Sequence, residues 1–262
     1  MHLSFTNLKD KYLEKLSNYI NKNDNIYLEC DLFNFKEISL LKDKNFFCKF
    51  YYDIFKELIG DNGTFVTPSF TYSWASNNKD KSFNIKTTSS KCGIFSNYAL
   101  QNEKLFRSND PMFSLLISGP FNFNYNFKCS FGNNSIYHQM FDANFKIVHF
   151  GLNYFDPTFI HFVEQKFDHE VAPIIYRKNY RFKGYFIDMY NEKHYDYWDC
   201  FMRNEKNDYK YSYDKIENTF DSKNLSKFKI NNANIFITSS KLFCETYFNK
   251  LLDNKNYFIY YE

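Results

Sequence analysis

One segment carries more chemistry than the rest of the chain: Asp156-Pro157-Thr158-Phe159-Ile160-His161-Phe162-Val163-Glu164. Asp156 before Pro157 predicts a helix with Asp156 as N-cap and Pro157 at its first position. His161 and Glu164 are three residues apart and so share one face of that helix near its start. The positive end of the helix dipole disfavours an imidazolium there, which leaves His161 neutral and able to take a proton, while Glu164 orients the ring and stabilises its charge once formed. That pattern suits a general base, although one His and one Glu at helical spacing also make an ordinary surface pair. His169 and Glu170 follow, and H-x-x-E-x4-H-E offers alternative metal ligands. H-E-x-x-H is absent, however, and His169 has drifted about 80° around an ideal helix relative to His161. A metal-dependent hydrolase using His161, Glu164 and His169 is therefore the lesser alternative. The 6 cysteines, at 30, 48, 92, 129, 200 and 244, show no C-x-x-C spacing and read as buried spectator thiols.

The elements that must position these residues are legible in part. Asn25 to Leu32 reads as a strand. Asp43 to Ile59 reads as an amphipathic helix, with apolar residues at 46, 47, 50, 51, 54, 55, 58 and 59, stopping at Gly60. A second strand follows at Thr64 to Thr67, ended by Pro68, so that strand, helix and strand suggest a β-α-β unit. A short helix at Gly93 to Leu100, a strand at Met112 to Ser118, a helix opened by Ser135 and a strand at Phe145 to Phe150 continue the pattern. Beyond Tyr176 the period shifts to alternating aromatic and polar residues, at Tyr180 to Tyr190 and Tyr195 to Phe201, which predicts antiparallel strands. Asn204 to Lys229 is polar and reads as loops with short pieces of structure. A last helix at Ser239 to Leu252 and a strand at Tyr257 to Tyr261 end the chain. The expectation is one α/β domain over residues 1–262, with a mixed central sheet, helices on both faces and an antiparallel C-terminal embellishment.

Composition excludes several classes. With 44% hydrophobic and 24% charged residues the chain is not disordered. Only 7 Gly and 5 Pro occur among 262 residues, and neither G-x-G-x-x-G nor G-x-x-x-x-G-K-[ST] is present, so any phosphate-bearing ligand must be held in another way. The 22% aromatic share reads first as codon bias. The 33 basic and 30 acidic residues leave a net charge of +3 spread along the chain, which gives no indication of nucleic-acid binding. The first 25 residues lack the apolar core of a signal peptide, and no stretch approaches the ~18 apolar residues of a membrane span. These features predict a cytoplasmic protein with reduced thiols and no membrane or nucleic-acid partner.

Four further stretches are Gly60-Asp-Asn-Gly-Thr-Phe-Val-Thr-Pro-Ser-Phe-Thr-Tyr72, Lys91-Cys-Gly-Ile-Phe-Ser96, Phe106-Arg-Ser-Asn-Asp-Pro-Met-Phe-Ser114 and Phe131-Gly-Asn-Asn-Ser135. With Phe150-Gly151, Thr158, His161 and Glu164, and then Tyr176-Arg177, their order over Asn25 to Gly184 resembles the aminoglycoside 3-N-acetyltransferase family. That family uses acetyl-coenzyme A. The resemblance implies His161 as the catalytic base that deprotonates an acceptor amine, with Glu164 as its partner. It places acetyl-coenzyme A against Asp31 and Leu32, the segment Thr67, Ser69 and Phe70, and the turn Arg107 and Ser108. It places the acceptor near Tyr72, Asp110 and Arg177. Two positions depart from the family pattern: Glu29-Cys30-Asp31 stands where the family has His-Ser-Ser, and Asp110 stands where it has His before Pro. The departure at 110 points to an acceptor other than the family's usual antibiotic, and the net charge of +3 with Arg177, Lys178, Arg181 and Lys183, which suit a diphosphate, points to a nucleotide-linked amino sugar. An aminoglycoside antibiotic is the alternative acceptor, and a non-catalytic binding protein on a decayed scaffold is a further rival that the intact His161 and Glu164 oppose.

Overall fold

The structure, a computed structural model, describes residues 5–37, 43–75, 81–102, 104–204, 206 and 208–261. In chain order the elements are α1 (Phe5–Leu16), β1 (Ile26–Cys30), a 3-10 turn (Leu32–Asn34), α2 (Lys44–Ile59), β2 (Phe65–Pro68), β3 (Ser82–Asn84), α3 (Gly93–Leu100), β4 (Phe106–Arg107) and β5 (Leu115–Ser118). They continue with α4 (Ile136–Asp142), β6 (Lys146–Phe150), α5 (Phe159–Glu170), β7 (Arg177–Ile187), β8 (Lys193–Arg203), β9 (Lys210–Tyr211) and α6 (Tyr213–Asn218). The last are β10 (Ser226–Ile230), β11 (Ala233–Ser239), α7 (Ser240–Asp253) and β12 (Ile259–Tyr260).

The central sheet has 7 strands in the order β10-β11-β6-β1-β2-β5-β4. Its middle, β6-β1-β2, is parallel, and every pairing outside that middle is antiparallel, which makes the sheet mixed as expected. Alternation along each strand sends side chains to two cores. Leu28, Phe65, Val148 and Phe150 pack against Tyr12 of α1 and Phe47, Tyr51 and Phe55 of α2. Tyr27, Val66, Ile147 and Phe236 face the other way, toward Tyr137 of α4, Phe159 and Val163 of α5 and Phe243 of α7. Helix α2 shows why these elements form where they do. Asp43 caps it by accepting from Asn45 N at 2.8 Å, one apolar stripe is buried, and Gly60 ends it at φ 67°.

Several boundaries moved for local reasons. Asp110 accepts from Met112 N at 2.7 Å and Phe113 N at 2.9 Å, and this side-chain turn delays the expected strand from Met112 to Leu115. Helix α5 begins at Phe159 rather than at Pro157, and its cap position is Thr158, not Asp156. Pro157 and Thr158 form a tight turn, with Ile160 N donating to Pro157 O at 2.9 Å and His161 N to Thr158 O at 3.1 Å. Strand β11, between β10 and β6 in the sheet, and helix α1 were not anticipated from the sequence. The two long strands expected after Tyr176 are β7 and β8, paired antiparallel from Arg177↔Arg203 to Ile187↔Lys193 and joined by β3. The expected terminal strand shortens to β12 and pairs with β9.

Candidate active site

The parallel strands β1, β2 and β6 all end on the same edge, the usual location of ligand sites in open α/β sheets. The loops leaving them, 31–37, 69–75 and 151–158, gather there with the first turn of α5. Glu29, near the end of β1, closes the junction between β1 and α5. Its carboxylate accepts from Thr158 N at 3.2 Å, from the Thr158 hydroxyl and from Tyr27 Oη at 3.0 Å, and it pairs with His149 Nε2 at 2.7 Å. A carboxylate from another strand thus takes up a free N–H at the positive end of the helix. That leaves Asp156 outside the cap, where burial pushes its carboxyl up to about 6.

One turn further along α5, His161 and Glu164 are close in space but do not bond to each other directly. Glu164 is fully buried and accepts from Tyr176 Oη at 3.1 Å, Tyr247 Oη at 3.0 Å, Tyr211 Oη at 2.8 Å and Arg177 Nε. Arg177, the first residue of β7, lies between the two residues and donates from Nη2 to His161 Nδ1 at 2.6 Å. It also contacts Tyr211 Oη through Nε at 3.1 Å and donates from Nη1 to Phe201 O at 3.3 Å. The expectation that Glu164 orients the imidazole is corrected accordingly: Glu164 reaches His161 through Arg177. Burial alone would lower the Arg177 pKa, but Glu164 and Tyr211 more than offset it and hold the guanidinium charged. Burial, and then Arg177, push His161 well below its ordinary value, so the ring is neutral.

His161 lines a cleft of about 460 Å³. Its ring is packed edge-on against Phe113 and Phe131, with centroids at 6.0 and 5.2 Å. Tyr72, held at φ 53°, stands beside Phe113, and the cleft is also lined by Arg203 at the end of β8, Lys210 of β9, Tyr213 at the start of α6 and Tyr260 of β12. Phe70 supports Phe113, with ring centroids 4.9 Å apart. Among the described residues no Asp or Glu lines the cleft.

The remaining anticipated residues are placed less directly. Asp31 caps the 3-10 turn, accepting from Phe33 N at 3.0 Å, and Leu32 is buried behind it. The Thr67 hydroxyl donates to Leu28 O at 2.9 Å. Ser108 Oγ accepts from Leu115 N at 2.9 Å. Arg107 was expected to hold phosphate, but its guanidinium turns inward: Nε donates to Ser114 Oγ at 3.1 Å, Nη2 to Ser69 O at 2.7 Å and Nη1 to Thr88 O at 2.5 Å. It ties β4 to the loop after β2, and a phosphate would have to compete with those acceptors. Arg177, expected at the acceptor, has its donors committed to Glu164, Tyr211, Phe201 and His161. Asp110, expected to meet the acceptor, spends its carboxylate on its own turn, and burial raises its pKa to about 6.

The metal alternative is not assembled. His169 lies with Gln165, Lys166 and Glu170 around a separate cavity of about 470 Å³, while His161 faces the cleft and Glu164 lies in the tyrosine cage. Among the described residues the one cluster with metal-ligand spacing is Asp188, Glu192 and His194 on the exposed β7–β8 turn. The six cysteines are free thiols.

Sequence reasoning missed the middle position of Arg177, the hydroxyls of Tyr211 and Tyr247, the cleft bases Arg203 and Lys210, and His149. Arg177 was marked by the Tyr176-Arg177 motif though not for this position, and His149 left a signal as a lone imidazole inside the apolar run Ile147-Val148-His149-Phe150.

A mixed α/β sheet with a neutral imidazole at the carboxyl edge of its parallel strands fits a group-transfer enzyme, and the comparisons specify the class. The family model of aminoglycoside 3-N-acetyltransferase matches residues 45–251, and the chain belongs to that family. It is accordingly an acyltransferase with acetyl-coenzyme A as cosubstrate. Among solved structures, YokD from Bacillus subtilis matches at 13% identity and TM-score 0.70, covering 95% of this chain and 94% of that one. AAC-IIIb, in its binary complex with CoASH, matches at 14% identity and TM-score 0.70, covering 96% and 97%. AAC(3)-IVa in complex with a gentamicin matches at 13% identity and TM-score 0.69, covering 95% and 90%. No curated protein matches the sequence. No helix among the described residues is long and apolar enough to cross a membrane.

Proposed function

We propose that the protein transfers the acetyl group of acetyl-coenzyme A directly to an amine of an aminoglycoside-type amino sugar, at the cleft over His161. The observation that carries this reading is the placement of the family-motif histidine, neutral and lining an open cleft, within a chain that matches the family over residues 45–251. The enzyme supplies proximity between amine and thioester and a polar group beside the reacting carbon. Gentamicin in the related AAC(3)-IVa complex supports an aminoglycoside acceptor. The nucleotide-linked amino sugar expected from the sequence finds no support in these comparisons.

One observation nevertheless favours a phosphate-bearing amino sugar as a second reading. Arg203 and Lys210 line the cleft and, among the described residues, no Asp or Glu does, which suits an anionic group on the acceptor. Arg203 is paired with Asp208 at 2.7 Å, on the exposed side. A thiol-release assay with acetyl-coenzyme A, comparing specificity constants for gentamicin and for nucleotide-linked amino sugars, tests both readings. Preference for gentamicin is expected on the first reading and reverses on the second. No release with any amine would sink both.

A further inference from the structure

We propose that the outer edge of β8 is a pairing surface for a second copy of this chain, joined edge to edge and antiparallel about a twofold axis at Tyr195. In the sheet β3-β7-β8, β8 is the end strand and has β7 on one side only. Backbone groups of an antiparallel strand point alternately to its two sides. Tyr185 N donates to Lys81 O at 2.7 Å and Ile187 O accepts from Ile85 N at 3.1 Å, both toward β3. Their register partners on β8, Tyr195 and Lys193, therefore turn their backbone groups away from β7. Asp199 does the same, donating to Lys128 O at 2.8 Å and accepting from Ser130 N at 3.0 Å, and Tyr197 shares that parity. Among the described residues no outward main-chain bond reaches Lys193, Tyr195 or Tyr197. Segment 128–130 covers the edge at Asp199 and the turn 188–192 closes it before Lys193, so the open length runs from Lys193 to Tyr197 with Tyr195 at its middle.

The order of charges along that length selects a second copy as the occupant. The twofold at Tyr195 sets Lys193 opposite Tyr197 of the second copy and His194 opposite its Asp196, each contact made twice. His194 and Asp196 point to the same face of the strand, and their pairing falls where opposed side chains come closest. Neighbouring registers oppose like charges: a centre at His194 faces Glu192 with Asp196, and a centre at Asp196 faces that carboxylate with itself. On the other face the rings of Tyr185 and Tyr195 lie 5.3 Å apart, 40% and 66% exposed, and the axis continues them into a row of four rings. Asp196 also pairs with Lys128, and His194 with Asp188 at 3.3 Å, but these contacts are partly exposed and cost little to share.

The main chain completes the seam. Tyr195 N–H and C=O exchange two hydrogen bonds with their symmetry mates, and Lys193 N donates to Tyr197 O of the second copy on each side. Tyr197 N is already taken by Asp196 Oδ1 at 2.8 Å. Pairing over so short a length makes a small interface and a weak, reversible dimer.

Sedimentation equilibrium of the whole protein over about 1–200 μM, the range suited to a small interface, is expected to show monomer and dimer in exchange. A monomer at every concentration overturns the proposal. Tyr195→Pro removes an N–H that β7 does not use. It is expected to weaken association at least about tenfold, with thiol release and the melting temperature in dilute solution unchanged. Where the proline variant does not fold, the charge variants decide. His194→Asp sets carboxylates on both sides of each contact and is expected to abolish the dimer, and adding Asp196→His restores it with the order of the pair reversed. A dimer that survives a folded Tyr195→Pro, or survives His194→Asp, overturns the proposal. So does a double variant that associates no better than His194→Asp.

Discussion

Glu29 and His149 are register partners on the adjacent parallel strands β1 and β6, and their side chains meet at 2.7 Å with the imidazole almost fully buried. The same carboxylate caps the turn that opens α5, so a charge pair inside the sheet is tied to the helix that carries His161. His149 Nδ1 also faces Tyr154 O at 3.4 Å, so both ring nitrogens point at acceptors. Burial lowers the His149 pKa, but the hydrogen bond and charge of Glu29, with Asp156, outweigh it and the pKa is raised.

A raised histidine pKa makes a signed prediction. The stabilisation is fully present below the unfolded value of about 6.5 and is lost as pH rises through the higher folded value. His149→Gln is therefore expected to lower the melting temperature more near pH 6 than near pH 8. Melting curves of the two proteins across that range check it, and a difference that grows with pH would contradict the charged pair.

Glu164→Gln leaves the buried guanidinium of Arg177 without its counter-charge. Breaking such a pair from one side commonly costs about 3–5 kcal/mol. Urea unfolding should show a loss in that range, and turnover should fall less than in His161→Ala, because the imidazole remains in the cleft. A neutral effect on stability would mean that Tyr211 Oη and Phe201 O suffice to hold Arg177.

Asp110→Asn is expected to be tolerated or stabilising at neutral pH. The amide oxygen can still accept from Met112 N and Phe113 N, while burial has raised the carboxyl to about 6. A folded pKa above the unfolded value near 3.9 means that the ionised form opposes folding, by no more than about 3 kcal/mol at pH 7. The advantage of Asn should therefore shrink as pH falls through 6 toward 4. Denaturant midpoints at pH 4 and pH 7 measure this, and a large destabilisation confined to pH 7 would show that the charge is needed.

Gly151→Ala tests the close approach at the end of β6. Gly151 has φ 81°, and a Cβ there would run into Asp31 O and the Phe35 ring. A non-glycine residue in a strained conformation costs roughly 1–3 kcal/mol, and displacing the Asp31 loop disturbs the edge where the site forms. Thermal melts should show the loss. An unchanged melting temperature would mean that the loop yields freely.

Local pattern determined much of this protein. The capped stripe of α2, the apolar runs of β1 and β6 and the aromatic alternation of β7 and β8 depend on neighbours a few residues away, so their periods appear directly in the sequence. The ordered motifs marked the family and His161 for the same reason, since they occupy contiguous stretches of chain. What surrounds His161 was decided elsewhere. Arg177 comes from β7, Tyr211 from β9, Tyr247 from α7 and Glu29 from β1, separated from the helix by up to 132 positions, as Glu29 to His161 is. Helical spacing placed Glu164 beside His161, but a buried carboxylate goes to its strongest donors, and those arrived from distant strands. The inward turn of Arg107 has the same origin, because Ser69 O in the loop after β2 and Thr88 O in the segment after β3 both accept from its guanidinium, and only the folded chain brings the three together.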